Sequence, residues 1–155
     1  MASKSAEEKI LELDESIQGL CRAAIELMLK DEKLRALGVD GIYINEARRS
    51  LAVQMAYYSR GRMDVEDVKK MYAAAGLYRI SSSEAAVKNT NTLFSKHIQG
   101  LAFDVVPMND GILWWNAPAS VWERIGEIGE SVGLEWGGRW TLLRDYPHFQ
   151  RKETL

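Results

Sequence analysis

The sequence has 155 residues, 46% of them hydrophobic and 27% charged, with a formal net charge of -2. Such a length buries a sizeable core without the help of a disulfide or a structural metal, so a metal site here is expected to serve chemistry. The small negative charge excludes the broad basic face that nucleic-acid binding demands. Cys21 is the only cysteine, so no intramolecular disulfide forms, and its apolar neighbours mark it as a small core residue.

The N-terminal stretch Met1 to Lys9 is polar and lacks the apolar run of a secretory signal, and no later segment is long and apolar enough to span a membrane. The expectation is a monomeric, soluble chain made in the cytoplasm, forming one domain over residues 1–155. Ile10, Leu13, Ile17, Leu20, Ala24 and Leu27 recur in steps of three and four, which predicts one amphipathic helix over about 6–30. Ile42 to Ile44 reads as a short strand that opens a core of about 42–150 carrying the motifs. A helix follows from Leu51 to Ser59 and stops at Gly61, a residue suited to the left-handed closing position.

Asp64 is expected to cap a third helix in a weak capping box with Asp67, and Val65, Val68, Tyr72 and Ala75 line one face of it. Residues 79–93, with Ser81-Ser82-Ser83 and Asn89-Thr90-Asn91-Thr92, read as a loop or mobile flap. Ala102 to Val106 is a buried strand that Pro107 is expected to terminate. Asn116 and Pro118 open a last helix with Val121, Ile125, Ile128 and Val132 on its inner side. Short strands at Leu134–Trp136 and His148–Gln150 complete an α+β fold.

The chain has two histidines. His97 precedes a glycine, Gly100, and a carboxylate, Asp104, in the run Ser95-Lys96-His97-Ile98-Gln99-Gly100-Leu101-Ala102-Phe103-Asp104. On a strand, Ala102 and Asp104 share one face while Phe103 and Val105 share the other. The aromatic face packs inward, and a carboxylate on such an apolar strand needs a partner, because burying it alone is very costly. A cation held by His97 and Asp104 supplies one.

His148 lies in Asp145-Tyr146-Pro147-His148-Phe149. Two imidazoles and a carboxylate form the three-ligand set of a catalytic zinc site with a fourth position open to water. Asp145 is placed in a loop that Pro147 ends, with the strand starting at about His148, so that its carboxylate stands beside the metal as a general base. The same ligand types also make the facial triad of non-haem iron oxygenases, although that site usually has its first histidine and carboxylate closer together.

At these residues the sequence resembles the zinc D-Ala-D-Ala carboxypeptidase and L-alanyl-D-glutamate peptidase family, which includes phage endolysins. The motif Ser-x-His-x-x-Gly-x-Ala-x-Asp is matched at Ser95, His97, Gly100, Ala102 and Asp104, and a carboxylate before a histidine in a Pro-His-Phe context is matched by Asp145 and His148. Upstream, Glu46-Ala47-Arg48-Arg49-Ser50, Gln54, Tyr58 and Gly61-Arg62 resemble the family's Arg-Ser segment and following helix.

The resemblance implies a Hedgehog/DD-peptidase-like fold, a small antiparallel sheet packed with helices. It also implies Zn2+ bound by His97, Asp104 and His148, Asp145 as catalytic base, and Arg49 rather than Arg48 facing the cleft. Ser95 and Trp140 are the candidate substrate contacts. Residues 63–94 form a stretch longer than the endolysin branch leads one to expect, and Gln150 stands where many relatives have Glu, a change expected to touch only the bonding around the ligands.

The function implied is hydrolysis of bacterial peptidoglycan stem peptides. The expected form is an L-alanyl-D-glutamate endopeptidase that acts as an endolysin, reaching the wall once a phage pore releases it. A D-Ala-D-Ala carboxypeptidase and a non-catalytic zinc-bearing binding module are the alternatives.

Overall fold

The computed structural model describes residues 3–153. The chain divides into two compact units, Met1–Arg48 with Gln99–Leu155, and Arg49–Ile98.

The first unit opens with α1 (Ala6–Leu11) and α2 (Glu15–Lys30). A single helix was expected here, and the apolar period does run through both pieces, since Ile10, Leu13 and Ile17 are all buried. The break comes from Asp14. Its side chain accepts from the Ser16 N–H and caps α2, while its own N–H donates to the Gly100 carbonyl. A backbone bond to a distant turn thus takes the place of helix continuation, and the hydrophobic stripe does not register the change. Asp31 then caps α3 (Glu32–Ala36), and both of its carboxylate oxygens accept from Arg124 at 2.7 and 3.0 Å. That guanidinium beside it holds the Asp31 carboxyl below the usual carboxylate range.

The sheet is antiparallel, in the order β1 (Gly41–Glu46), β2 (Ala102–Asn109), β5 (His148–Arg151), β4 (Leu134–Trp136), with β3 (Ile112–Leu113) also paired to β2. Pro107 does not end β2 as expected but lies within it, opposite Ile42. The Pro107 carbonyl accepts from the Trp114 N–H, and the Val105 N–H, on the same edge of the strand, donates to the Pro147 carbonyl. The edge on which proline lacks its donor is therefore the one facing away from β1, past the end of β5, and the Trp114 carbonyl across from it accepts from the Ala117 N–H instead.

Behind the sheet lies α7 (Ala119–Ser131), entered at Pro118 with no side-chain cap, so Asn116 does not supply one. Val121, Ile125 and Ile128 pack inward with Phe103, Trp136 and Phe149. Gly126 and Gly129, one turn apart, let this helix approach the sheet: a Cβ at Gly126 would sit 2.2 Å from the Trp136 ring, and one at Gly129 2.1 Å from the Phe149 ring. Alanine in a helix is worth about 1 kcal/mol over glycine, but overpacking against a rigid aromatic costs about 1–3 kcal/mol or more. The clash wins at such distances. Gly129→Ala is expected to lower the melting temperature, and a thermal melt showing equal or higher stability would refute this packing argument.

The second unit holds α4 (Leu51–Ser59), capped by Ser50 and followed by Gly61 at φ +68°, and α5 (Val65–Ala74). Asp64 occupies the N-cap position of α5 without making a side-chain cap bond, so the expected capping box is not formed. The segment expected as a loop or flap contains a short helix, α6 (Ser82–Ala85), capped by the Ser81 hydroxyl. Ile80 and Ala85 are buried in a second core with Ala56, Val68 and Tyr72. Two apolar residues spaced five apart in a serine-rich run are too weak a periodic signal to reveal this helix, which owes its place to the second core that receives it. Among the described residues no helix is long and apolar enough to cross a membrane.

Candidate metal centre

The alternation of β2 and β5 sets the chemistry. Phe103 faces Phe149 across the ladder and Trp136 faces Phe149 on the next one, all on the core side. The opposite face carries Ala102 and Asp104 from β2, His148 and Gln150 from β5, and Glu135 from β4, with Asp104 directly across from His148. His148 is buried, and its Nδ1 lies 3.3 Å from Asp104 Oδ1.

His97 sits in a turn that its own motif builds. The Ser95 hydroxyl accepts from the His97 N–H at 3.2 Å, and the Ser95 carbonyl accepts from the Ile98 N–H at 3.0 Å. Gly100 closes the turn at φ +72°, a left-handed conformation that glycine adopts without strain, and its carbonyl receives the Asp14 N–H. His97 is itself 2% exposed. His97, Asp104 and His148 each offer one ligand atom, and these atoms lie within 4.8 Å of one another. Two nitrogens and one carboxylate oxygen at that spacing fit a zinc ion in a three-protein-ligand site.

The electrostatics favour a cation at this point. Burial works against the charged form of His148, yet the hydrogen bond and charge of Asp104, with further help from Gln150 and Asp145, raise its pKa above the ordinary histidine value. A site that draws positive charge against the effect of burial also suits a metal ion.

Asp145 lies where the sequence placed it, in the loop before β5, with Oδ2 3.9 Å from His148 Nδ1. It is not one of the three clustered residues, and its side chain is 46% exposed, so it stands next to the site and open to solvent. The loop is seated against Gly137: the Asp145 N–H donates to the Gly137 carbonyl, and a Cβ on Gly137 would lie 2.5 Å from the Asp145 carbonyl oxygen. A glycine is thus required beside the loop. The pattern Glu135-Trp136-Gly137-Gly138 contained that signal, but nothing local shows which chain will press against it.

Trp140 is half-buried, its ring centroid 5.1 Å from that of His148. Arg48 is exposed, whereas Arg49 is half-buried, donates to Gln54 Oε1 at 2.6 Å and lies over the Tyr57 ring. The Arg49 backbone N–H donates to the His97 carbonyl, so this segment is fastened to the turn that carries His97. Cys21 is fully buried and its thiol is pushed up to about 12 by burial, in line with a core role.

Residues 88–151 match a family model, Peptidase_M15_4, described as D-alanyl-D-alanine carboxypeptidase. The chain is also 30% identical, over 121 residues, to the peptidoglycan L-alanyl-D-glutamate endopeptidase CwlK of Bacillus subtilis (strain 168). The segment matched by the family model carries His97, Asp104 and His148. The match to CwlK takes in 73% of this chain and 61% of CwlK, so the chain spans less than two thirds of that relative.

Among solved structures, the L-Ala D-Glu endopeptidase ChiX of Serratia marcescens matches with a TM-score of 0.60 at 24% identity, over 95% of this chain and 86% of ChiX, which shows that the two share a fold. The vancomycin resistance D,D-pentapeptidase VanY of a VanB-type cassette, in complex with Zn(II), is similar at a TM-score of 0.49 and 20% identity, over 90% of this chain and 72% of VanY.

Proposed function

We propose that this chain is a zinc-dependent peptidase of the M15 family that hydrolyses peptidoglycan stem peptides between L-Ala and D-Glu, that residues 1–155 act as one catalytic domain, and that its biological role is that of a phage endolysin. The observation that carries the chemistry is the His97, Asp104 and His148 group with Asp145 beside it, near a ligand nitrogen but outside the ligand set. A purely structural metal site has no use for a half-exposed carboxylate there, which weighs against a non-catalytic binding module. Two well-separated histidine segments and one carboxylate also suit zinc better than the iron triad.

Zinc in such a site supplies Lewis acidity and lowers the pKa of water to about 7. Asp145 takes the proton of the attacking water and returns it to the leaving amine, a role open to a carboxylate that reaches both solvent and the site. Trp140, beside His148, walls the substrate position, and the Ser95 hydroxyl contributes a hydrogen bond to the peptide. Arg49 holds a substrate carboxylate or the developing oxyanion, its guanidinium aimed by Gln54 and Tyr57.

Arg49→Ala is therefore expected to lower turnover strongly, by about 100-fold, and Arg48→Ala only mildly. Equal small losses in kcat/KM at both positions would remove Arg49 from the mechanism.

The position of the cut is supported by the identity to CwlK, which is named for the L-alanyl-D-glutamate bond. The description of the family model favours a second reading, removal of a terminal D-Ala. Mass spectrometry of a pentapeptide-bearing muropeptide after digestion separates the two. A tetrapeptide that begins at D-Glu is expected, and release of D-alanine alone would replace the first reading by the second. Lysis of expressing cells only after the inner membrane is breached distinguishes the endolysin role from a cytoplasmic one.

A further inference from the structure

His148 has two ring nitrogens with different surroundings. Nδ1 faces Asp104 Oδ1 at 3.3 Å and Asp145 Oδ2 at 3.9 Å, while Nε2 lies 2.9 Å from Gln150 Oε1. The Gln150 amide in turn donates from Nε2 to Glu135 Oε2 at 2.8 Å. These contacts follow from the register: Gln150 stands opposite Glu135 on β4 and two residues beyond His148 on the same face of β5.

A side-chain amide has one accepting and one donating end, and a carboxylate offers only acceptors. Glu135 therefore forces the NH2 of Gln150 toward itself and the Oε1 toward His148. An accepting oxygen at Nε2 forces that nitrogen to carry the proton in the neutral ring, which leaves the lone pair on Nδ1. The chain Glu135–Gln150–His148 thus decides, from one strand to the next, which nitrogen is available to a metal.

Resting on the zinc reading above, we infer that Gln150, oriented by Glu135, is a positioning residue that locks His148 in the Nε2–H tautomer and presents Nδ1 to the ion. Burial strengthens the effect, because His148 is only 6% exposed and little water reaches it to replace a lost acceptor. A leucine at position 150 would fill the space without accepting the proton. Exchanging the two residues, glutamate at 150 and glutamine at 135, reverses the direction of the second bond but keeps an acceptor at His148.

The test measures zinc affinity by chelator competition, with no substrate present, and records 1H–15N spectra of the zinc-loaded protein. The wild type is expected to show a slowly exchanging His148 Nε2–H with Nδ1 coordinated. Gln150→Leu should weaken zinc binding roughly 10- to 100-fold, and the double variant Gln150→Glu/Glu135→Gln should bring it back to within about tenfold of wild type. Should Gln150→Leu fail to fold, Glu135→Gln keeps size and shape, and a faster-exchanging Nε2–H with weaker binding is expected from it alone.

Zinc affinity unchanged in these single variants, or coordination through Nε2, would overturn the inference and leave the peptidase reading standing. Gln150-dependent zinc binding in a protein that cleaves no stem peptide would do the reverse.

Discussion

Asp145→Asn is expected to slow peptide hydrolysis by roughly 100- to 10,000-fold, the usual range for loss of a general base, with zinc still bound. The amide keeps the size and shape of the carboxylate, so the loop seated on Gly137 is preserved, including the backbone bond from the Asp145 N–H. His97, Asp104 and His148 are untouched, because Asp145 lies outside the cluster whose atoms are within 4.8 Å of one another. What is removed is the proton acceptor 3.9 Å from His148 Nδ1. Metal analysis and kinetics must be read together. Full zinc with near-normal kcat would leave the site without its base, whereas loss of zinc would show that Asp145 is a ligand after all.

His148→Ala is expected to remove most of the bound metal and with it the activity. Loss of an outer partner of a ligand typically weakens metal binding by roughly 10- to 100-fold, and loss of the ligand itself must exceed that. The variant also deprives Asp104 of the cross-strand neighbour that faces it at 3.3 Å, so the remaining carboxylate is less well held. Full zinc occupancy in purified His148→Ala would overturn the ligand assignment. Because Phe149 and the core face of β5 are unchanged, folding is expected to survive and can be checked by circular dichroism.

Several parts of this protein were legible in the sequence because the forces behind them are local. The helix Leu51–Ser59 is bounded by a serine cap and a nearby left-handed glycine, and the strand Leu134–Trp136 follows a helix end. The elements that bring His97, Asp104 and His148 together were equally readable. Period-two alternation from Ala102 to Val105 put Asp104 on the face opposite Phe103, and the turn at Pro147 placed Asp145 before the strand that begins at His148. The same alternation puts Gln150 on the face of His148, so its place beside the ligand could have been read off as well.

Tertiary structure decided the rest, because those features depend on which distant segments meet. The helix break at Asp14 answers to a carbonyl at Gly100, and Pro107 is tolerated inside β2 because β5 stops short of it. The serine-rich segment forms a short helix because a second core accepts Ile80 and Ala85. Glu135 gains a role only when β4 pairs with β5 in a register that sets it against Gln150. A one-residue slip in that pairing would turn Glu135 to the other face. The grouping of His97, Asp104 and His148 is thus legible in the sequence, and the contact of Gln150 with His148 Nε2 is a property of strand register.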